Sequence, residues 1–445
     1  MFNALKTLYS LFALMTSVVL LSLGNSAFGS FIVLRADLIG FSDEMIGVMS
    51  SAFFFGMIIG TLYCPRIIAR SGHIRSFAAF SAISAATVLG FSLVTHVEAW
   101  TLLRAIMGFN VISMYVIVES WLNVRTSSEN RAKVLSLYMM INYFAQGGSQ
   151  QLLNIGIYDN DALFSLVAIL LTLAVVPVAL TRATNPDVID NKRFGIRRLL
   201  EVSPTAVAGV FTQGLMQAPI FSLGSIYAKG IGLTTVEISL FMSITLMSGL
   251  LLQYPAGWLS DRFDRRKVIF SVTFIVATIS TLMSISTSLP LLYLFIIMSI
   301  LSGFSTTLFP LCMAYANDYV DANEMLKTAG GLNLAWGIGA AIGPLSAGMV
   351  MQWFGPAGLF IHGAVVATLF FSYILWRMTR RSWAPIEEKE TFVPMPDITV
   401  SPIPNEIDPR IEAEEPLPLA GADPMILQET LDGQYEQLEE GNANS

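Results

Sequence analysis

Charged side chains inside apolar stretches are the first place to look for chemistry, because burying a charge in hydrocarbon is costly enough that those found there usually have a task. Arg104, Tyr115 and Glu119 share one such stretch, residues 100 to 123. Steps of 11 and 15 residues return all three to within about 60° of one another on a helix. At 1.5 Å per residue Arg104 and Glu119 stand roughly 22 Å apart along the axis, too far to pair. An arginine at depth costs at least about 2.5 kcal/mol on insertion scales. Arg104 therefore needs backbone carbonyls and buried water, or an anionic group on a bound solute. Glu119, near the other end of the stretch, has Arg70, Arg75, Arg125 and Arg131 as expected partners and reads as part of a gate rather than of a binding site.

Buried amides form the second set. Asn25 and Gln217 fall near the middle of their stretches, Asn142, Gln146 and Ser149 follow one another at steps of four and three, and Asn333 lies one turn from Trp336. An amide in lipid is costly unless paired, so each either lines a cavity or bonds a neighbouring helix. The candidate solute-binding residues are Asn25, Arg104, Tyr115, Asn142, Gln146, Gln217 and Trp336. No nucleophile and base, metal-ligand cluster or phosphate-binding G-x-x-x-x-G-K-[ST] loop accompanies them, so neither an enzyme, a cofactor nor an ATP-driven device is expected. Cys64 and Cys312 read as packing residues, and His362 as a structural hydrogen-bonding one.

The elements that must position these residues are membrane helices. Of 445 residues 54% are hydrophobic and only 13% charged, against the roughly 25% charged of a soluble domain. Apolar runs of about 20 residues, the length that crosses a bilayer core, recur twelve times: 9–34, 45–64, 76–95, 100–123, 134–157 and 162–181, then 204–228, 236–258, 268–287, 290–315, 328–353 and 357–378. With no water at depth to satisfy backbone groups, and no alternating pattern to argue for a barrel, these are expected to be helices. The first run follows Lys6 and ends in small residues, as a signal peptide does, but its length favours a retained helix.

Sliding the chain on itself by 192 residues pairs Gly40 with Gly232, Ser42 with Thr234, Asn25 with Gln217 and Arg70 with Arg262. At an offset of 195 Gly108 pairs with Gly303, Glu129 with Glu324 and Gly148 with Gly343. Constant offsets over five helices indicate a duplicated unit. The expected class is all-α membrane, twelve transmembrane helices in two pseudo-symmetric six-helix bundles, 1–181 and 204–381, joined by a cytoplasmic linker, 182–203. Residues 382–445 form an acidic tail, with 15 Asp and Glu against 2 basic residues from 386 onward. Disorder is the expectation there, although Leu427, Leu431, Tyr435 and Leu438 at helical spacing leave folding on a partner open. Without the tail the chain carries about +6 rather than −7. Placing the N-terminus inside puts 20 of 25 Lys and Arg in inside loops or helix ends, so both termini are expected in the cytoplasm.

The most specific motif is GWLSDRFDRRK, 257 to 267, between the eighth and ninth runs. It resembles G-x-L-x-D-R-x-G-R-R-K of the major facilitator superfamily, with Asp264 at the second glycine. The first half carries a degenerate copy, in which Ala69 stands where Asp261 does. Arg104 and Gly108 resemble the family's R-x-x-x-G, and Gly339, Gly343, Pro344 and Gly348 its glycine-proline motif, although such glycines also serve plain close packing. VIVESW at 116–121 and ENRAKVLSLYMMINYFAQGGSQQLL at 129–153 resemble the YcaD-like branch.

The resemblance implies helices 1, 4, 7 and 10 around a central cavity, helices 2, 5, 8 and 11 flanking it, and helices 3, 6, 9 and 12 outside. It also implies gating by Gly257, Asp261, Arg262, Arg265, Arg266, Glu119, Gly343 and Pro344, with Asp261 facing the start of helix 5, and a third role for Arg104 in proton coupling. The expected function is secondary active transport of a small organic solute by alternating access. A membrane sensor acting through the acidic tail is the alternative. Expected partners are that solute, the lipid bilayer and a coupling ion, proton or sodium, with no nucleic acid; the chain is expected to be a monomer.

Overall fold

The computed structural model describes residues 2–125, 131–155, 161–180, 199–200, 203–286, 289–320 and 322–379. The expected tail, 382–445, and all of the expected linker except Leu199, Leu200 and Ser203 lie outside them. In the first half the helices are α1 Phe2–Leu38, α2 Asp43–Ser71, α3 His73–Leu93, α4 Val97–Arg125, α5 Arg131–Ser149 and α6 Ala162–Leu173. The second half has α7 Pro204–Gly230, α8 Thr235–Arg262, α9 Arg265–Ile285, α10 Leu291–Asn317, α11 Ala322–Phe354 and α12 Gly358–Met378. We call the face at which α1 starts proximal and the face at which it ends distal.

Among the described residues eleven of these helices, α6 counted with its short extension Val175–Leu180, are long and apolar enough to cross a membrane. The exception is α5, whose apolar character is diluted by the amides it buries, Asn142, Gln146 and the Gln150 of the 3-10 turn that follows it. Pro177 explains the break in α6 at Ala174: it has no N–H to donate and its ring crowds the residue four before it. Exposed Leu251, Tyr254, Trp353 and Leu369 form part of an apolar outer surface suited to lipid rather than water.

The duplication is visible at the distal turns. Gly40 and Gly232 both adopt the left-handed backbone, at φ 92° and 88°, which only glycine enters without strain. Each is followed by a hydroxyl cap: Ser42 Oγ accepts from Met45 N, and Thr234 Oγ1 from Glu237 N, with Glu237 closing a capping box. The proximal turns diverge. Gly72, at φ 79°, separates α2 from α3, whereas the equivalent Asp264 caps α9 by accepting from Arg266 N at 3.0 Å. The aspartate that breaks the family pattern is thus a helix cap.

Within each half, helices meet at glycines. Gly56 of α2 and Gly108 of α4 each lie against the other helix's backbone, at Ala105 and Phe53. Gly214 of α7 and Gly339 of α11 repeat this arrangement at Trp336 and Phe211. Aromatic clusters fill the distal part of the first half, with Phe31 on Phe164 at 4.7 Å and Phe28 on Phe91 at 5.3 Å, both edge to face.

Candidate functional site

The two halves touch chiefly at the distal end. A Cβ on Gly47 of α2 would lie 2.5 Å from the Pro344 carbonyl oxygen of α11, and one on Gly348 would lie 2.6 Å from that of Asp43. Leu345 N donates to Ser51 Oγ at 2.9 Å beside them. Between α5 and α8, Ser243 Oγ donates to the Gly147 carbonyl at 2.7 Å and Gln151 Nε2 to Ser243 Oγ at 2.9 Å. Asn154 Nδ2 donates to Ser239 Oγ at 2.9 Å. An ion pair joins Lys229 of α7 to Asp37 of α1, residues 192 apart and therefore equivalent in the two repeats. Nearer mid-membrane, Gln253 Nε2 donates to Tyr143 OH at 2.8 Å. Among the described residues no comparable interlock joins α4 to α10 or α11 at the proximal end.

Below the distal closure lies a cavity of about 620 Å³, space open to solvent included. Helix α1 contributes Asn25, Ser26, Gly29 and Ser30, α4 contributes Arg104, and the α5 end contributes Gln146 and Gln150. Phe53 and Phe54 of α2, Phe221 and Ser222 of α7, Leu246 of α8 and Trp336 of α11 complete the wall. None of the described lining residues is acidic. Helices α2, α5, α8 and α11 reach the wall because they are the ones that cross at the distal closure. The family resemblance implied α10 there instead. In this conformation its Ser302 and Thr306 accept from Gln217 Nε2, at 3.3 and 3.2 Å.

Of the seven solute-site candidates, Asn25, Arg104, Gln146 and Trp336 line the cavity. Tyr115 and Asn142 stand one layer behind. Ser22 Oγ is 2.9 Å from Tyr115 OH and donates to Asn142 Oδ1 at 3.0 Å, which also accepts from Gln146 Nε2 at 2.8 Å. This chain fixes the rotamers of the wall. Gln217 is fully buried and turned to α10. The aromatics Phe53, Phe54 and Phe221 carried no signal in the sequence, since a phenylalanine in an apolar run reads equally as core or as lipid-facing.

The gate candidates separate as well. Arg265, one of the gate candidates, is 1% exposed. It donates to the Ala314 carbonyl at 2.6 Å and pairs with Asp318 at 2.8 Å and Asp261 at 3.4 Å. The reason is geometric: as the first residue of α9 it points back under the end of α10, whose last carbonyls need donors. Arg262 stacks on Trp258, with its guanidinium carbon 4.1 Å from the ring centroid, and Arg266 pairs with Asp264 at 3.3 Å. Gly257 is buried in α8. Gly343 packs on Leu215 and Pro219 of α7, whereas Pro344 presents its carbonyl to α2. Glu119 is fully buried and accepts from Tyr138 OH at 2.7 Å, a partner not among the four arginines expected for it. The side chains of Arg125 and Arg131 lie outside those described.

Comparison with known proteins agrees with this architecture. The chain is similar to the uncharacterized MFS-type transporter YcaD of Salmonella paratyphi A, at 27% identity over 375 residues covering 84% of this chain and 96% of the relative. It is equally similar to the YcaD proteins of Shigella flexneri and of Escherichia coli O139:H28. Among solved structures it superposes on the nucleoside transporter NupG, with a TM-score of 0.68 and 14% identity over 85% of this chain and all of that one. It also superposes on a bacterial homologue of the human lysosomal transporter Spinster in an inward-facing, occupied conformation, with a TM-score of 0.67 and 14% identity over 85% and 98% of the two chains. The profile of the Major Facilitator Superfamily matches residues 14–227 and again 205–422. A match over that much of the chain shows that it belongs to the major facilitator superfamily of multi-pass membrane transporters.

Proposed function

We propose that this protein is a secondary active transporter that carries a small organic solute through the cavity between its halves by alternating access. The observation that carries the reading is a cavity walled by both halves, with polar groups set in a largely apolar wall, whose contacts between the halves concentrate, among the described residues, on the distal side. That closure consists of glycine-to-carbonyl packing, hydrogen bonds and an ion pair. Such contacts can part and re-form as rigid halves rock, since no covalent or deeply interlocked element crosses them.

The excess of basic residues at the proximal face supports a cytoplasmic position for it, and on that reading the conformation is inward-facing. The halves are 1–181 and 204–381, with 182–203 as the linker, in a bacterial inner membrane with both termini inside. Gradients supply the energy, through a proton or sodium ion. Cavity contacts fall to Asn25, Arg104, Gln146 and Trp336, with Tyr115, Asn142 and Gln217 positioning the wall. The proximal gate is formed by the Asp261 and Arg265 cluster and by Glu119.

The test is uptake of a defined mixture of metabolites into proteoliposomes under imposed proton and sodium gradients, read by mass spectrometry. Gradient-dependent accumulation of at least one solute above protein-free vesicles is expected. No accumulation under any gradient would overturn the reading.

A further inference from the structure

Arg104 is 3% exposed and lines the cavity. Its guanidinium carbon lies 4.5 Å from the ring centroid of Phe53. Among the described residues no carboxylate pairs with it, no carbonyl accepts from it, and its buried Nε has no acceptor. A cation stacked on one ring face keeps its edge donors available, and a guanidinium offers them as a planar fork that fits two oxygens of one anionic group. Backbone carbonyls, one of the three ways to accommodate this charge, are thereby excluded among the described residues.

Other parts of the wall point the same way. Asn25, nine-tenths buried, makes no hydrogen bond within the described protein and faces the same space. The remaining surface near the arginine is aromatic: Phe53, Phe54, Phe221 and Trp336. With no acidic side chain in the described lining, a second, positive group on the solute would find no counter-charge there to offset its desolvation.

Resting on the transport reading above, we infer that the solute is a small organic monoanion, a carboxylate or similar planar oxyanion without an ammonium group, its charge held by Arg104 and its apolar body by the aromatic wall. Asn25 adds a hydrogen bond to the polar end. The same wall binds zwitterionic amino acids less tightly than the corresponding simple acids.

The test uses purified full-length protein, its Arg104→Lys and Arg104→Gln variants, and a panel of aliphatic and aromatic monocarboxylates. Each acid is matched with its primary amide and, where one exists, its α-amino acid; phenylacetate, phenylacetamide and phenylalanine form one such set. Binding is read by calorimetry on monodisperse protein. At least one acid is expected to bind more tightly than both its amide and its amino acid. Arg104→Gln should weaken that acid on the order of 100-fold while leaving the amide unchanged, and Arg104→Lys should fall between. If the Gln variant is not monodisperse, the selective loss of acid over amide in the Lys variant carries the same reading. Equal binding of acid and amide, equal acid affinity in all three proteins, or no acid bound at all would overturn the inference. Accumulation of neutral solutes by the same protein in proteoliposomes would then show that transport stands and only the anion assignment has failed.

Discussion

Adding one methyl group where α2 meets α11 should push the protein out of the conformation described here. Alanine at Gly47 would bring its Cβ to 2.5 Å from the Pro344 oxygen, and at Gly348 to 2.6 Å from the Asp43 oxygen, where ordinary contact begins at 3.4 Å. Both obstacles are backbone, so no side chain can swing aside, and the helices must separate at their distal ends. Overpacking of this kind costs about 1–3 kcal/mol. Only the distal-closed state bears the cost, because in a distal-open state these surfaces part. The conformational equilibrium should therefore move by about 5- to 150-fold toward distal-open. Gly56→Ala and Gly108→Ala are the controls. They crowd α2 against α4 inside one half, which moves as a body, and should lower overall stability without shifting the equilibrium. The assay is the rate at which a membrane-impermeant maleimide labels a cysteine placed at Ser222, on the cavity wall, from the distal side, with Cys64 and Cys312 replaced. Faster labelling in Gly47→Ala and Gly348→Ala but not in the controls is expected. Unchanged rates in folded Gly47→Ala, or the same acceleration in Gly56→Ala, would refute the reasoning.

Three further outcomes follow from single contacts. Arg265→Ala should destabilise the fold by about 3–5 kcal/mol, because it leaves the buried Asp318 carboxylate short of its partner, whereas Asp261→Asn, at a side chain 37% exposed, should cost no more than about 1 kcal/mol; equal shifts in thermal unfolding would contradict the assigned burial. Glu119→Gln should slow transport while leaving solute affinity intact, since Glu119 bonds Tyr138 away from the cavity wall, and a large affinity loss would place it in the binding site instead. Gln213 is fully buried with neither side-chain atom bonded among the described residues, so Gln213→Met should remove a desolvation penalty of about 1–3 kcal/mol and raise the unfolding temperature; a lower temperature would mean that the amide has a partner the static structure does not show.

The helices were legible because lipid imposes one rule on every residue of a span, and hydropathy registers it directly. The repeat was legible at Gly40 and Gly232 because a left-handed turn admits few residue types, and at Ser42 and Thr234 because an N-cap does likewise. The wall of the cavity was only half legible. Asn25, Arg104, Gln146 and Trp336 stood out as polar or amphipathic groups in apolar runs. Phe53 and Phe221 are chemically identical to the phenylalanines that face lipid or core, and only the packing of one half on the other assigns them. The burial of Arg265 was not legible for a related reason. In sequence it sits in a run of basic residues, and its burial depends on where α10 ends, a long-range fact. The bare glycine spacing of α11 could not separate Gly343, which packs within its own half, from Gly348, which meets the other.

The central claim, that the halves rock about the cavity and close one side as the other opens, is tested most directly by two spin-label distances in the same reconstituted protein. A distal pair at Met45 of α2 and Gln352 of α11 and a proximal pair at Ser71 and Phe263 lie at exposed positions, each spanning the two halves. Measured with and without transported solute and with the Gly348→Ala substitution, the account predicts distance distributions that move in opposite directions, the distal pair lengthening whenever the proximal pair shortens. Distal and proximal distances that stay fixed under every condition, or lengthen together, would contradict it.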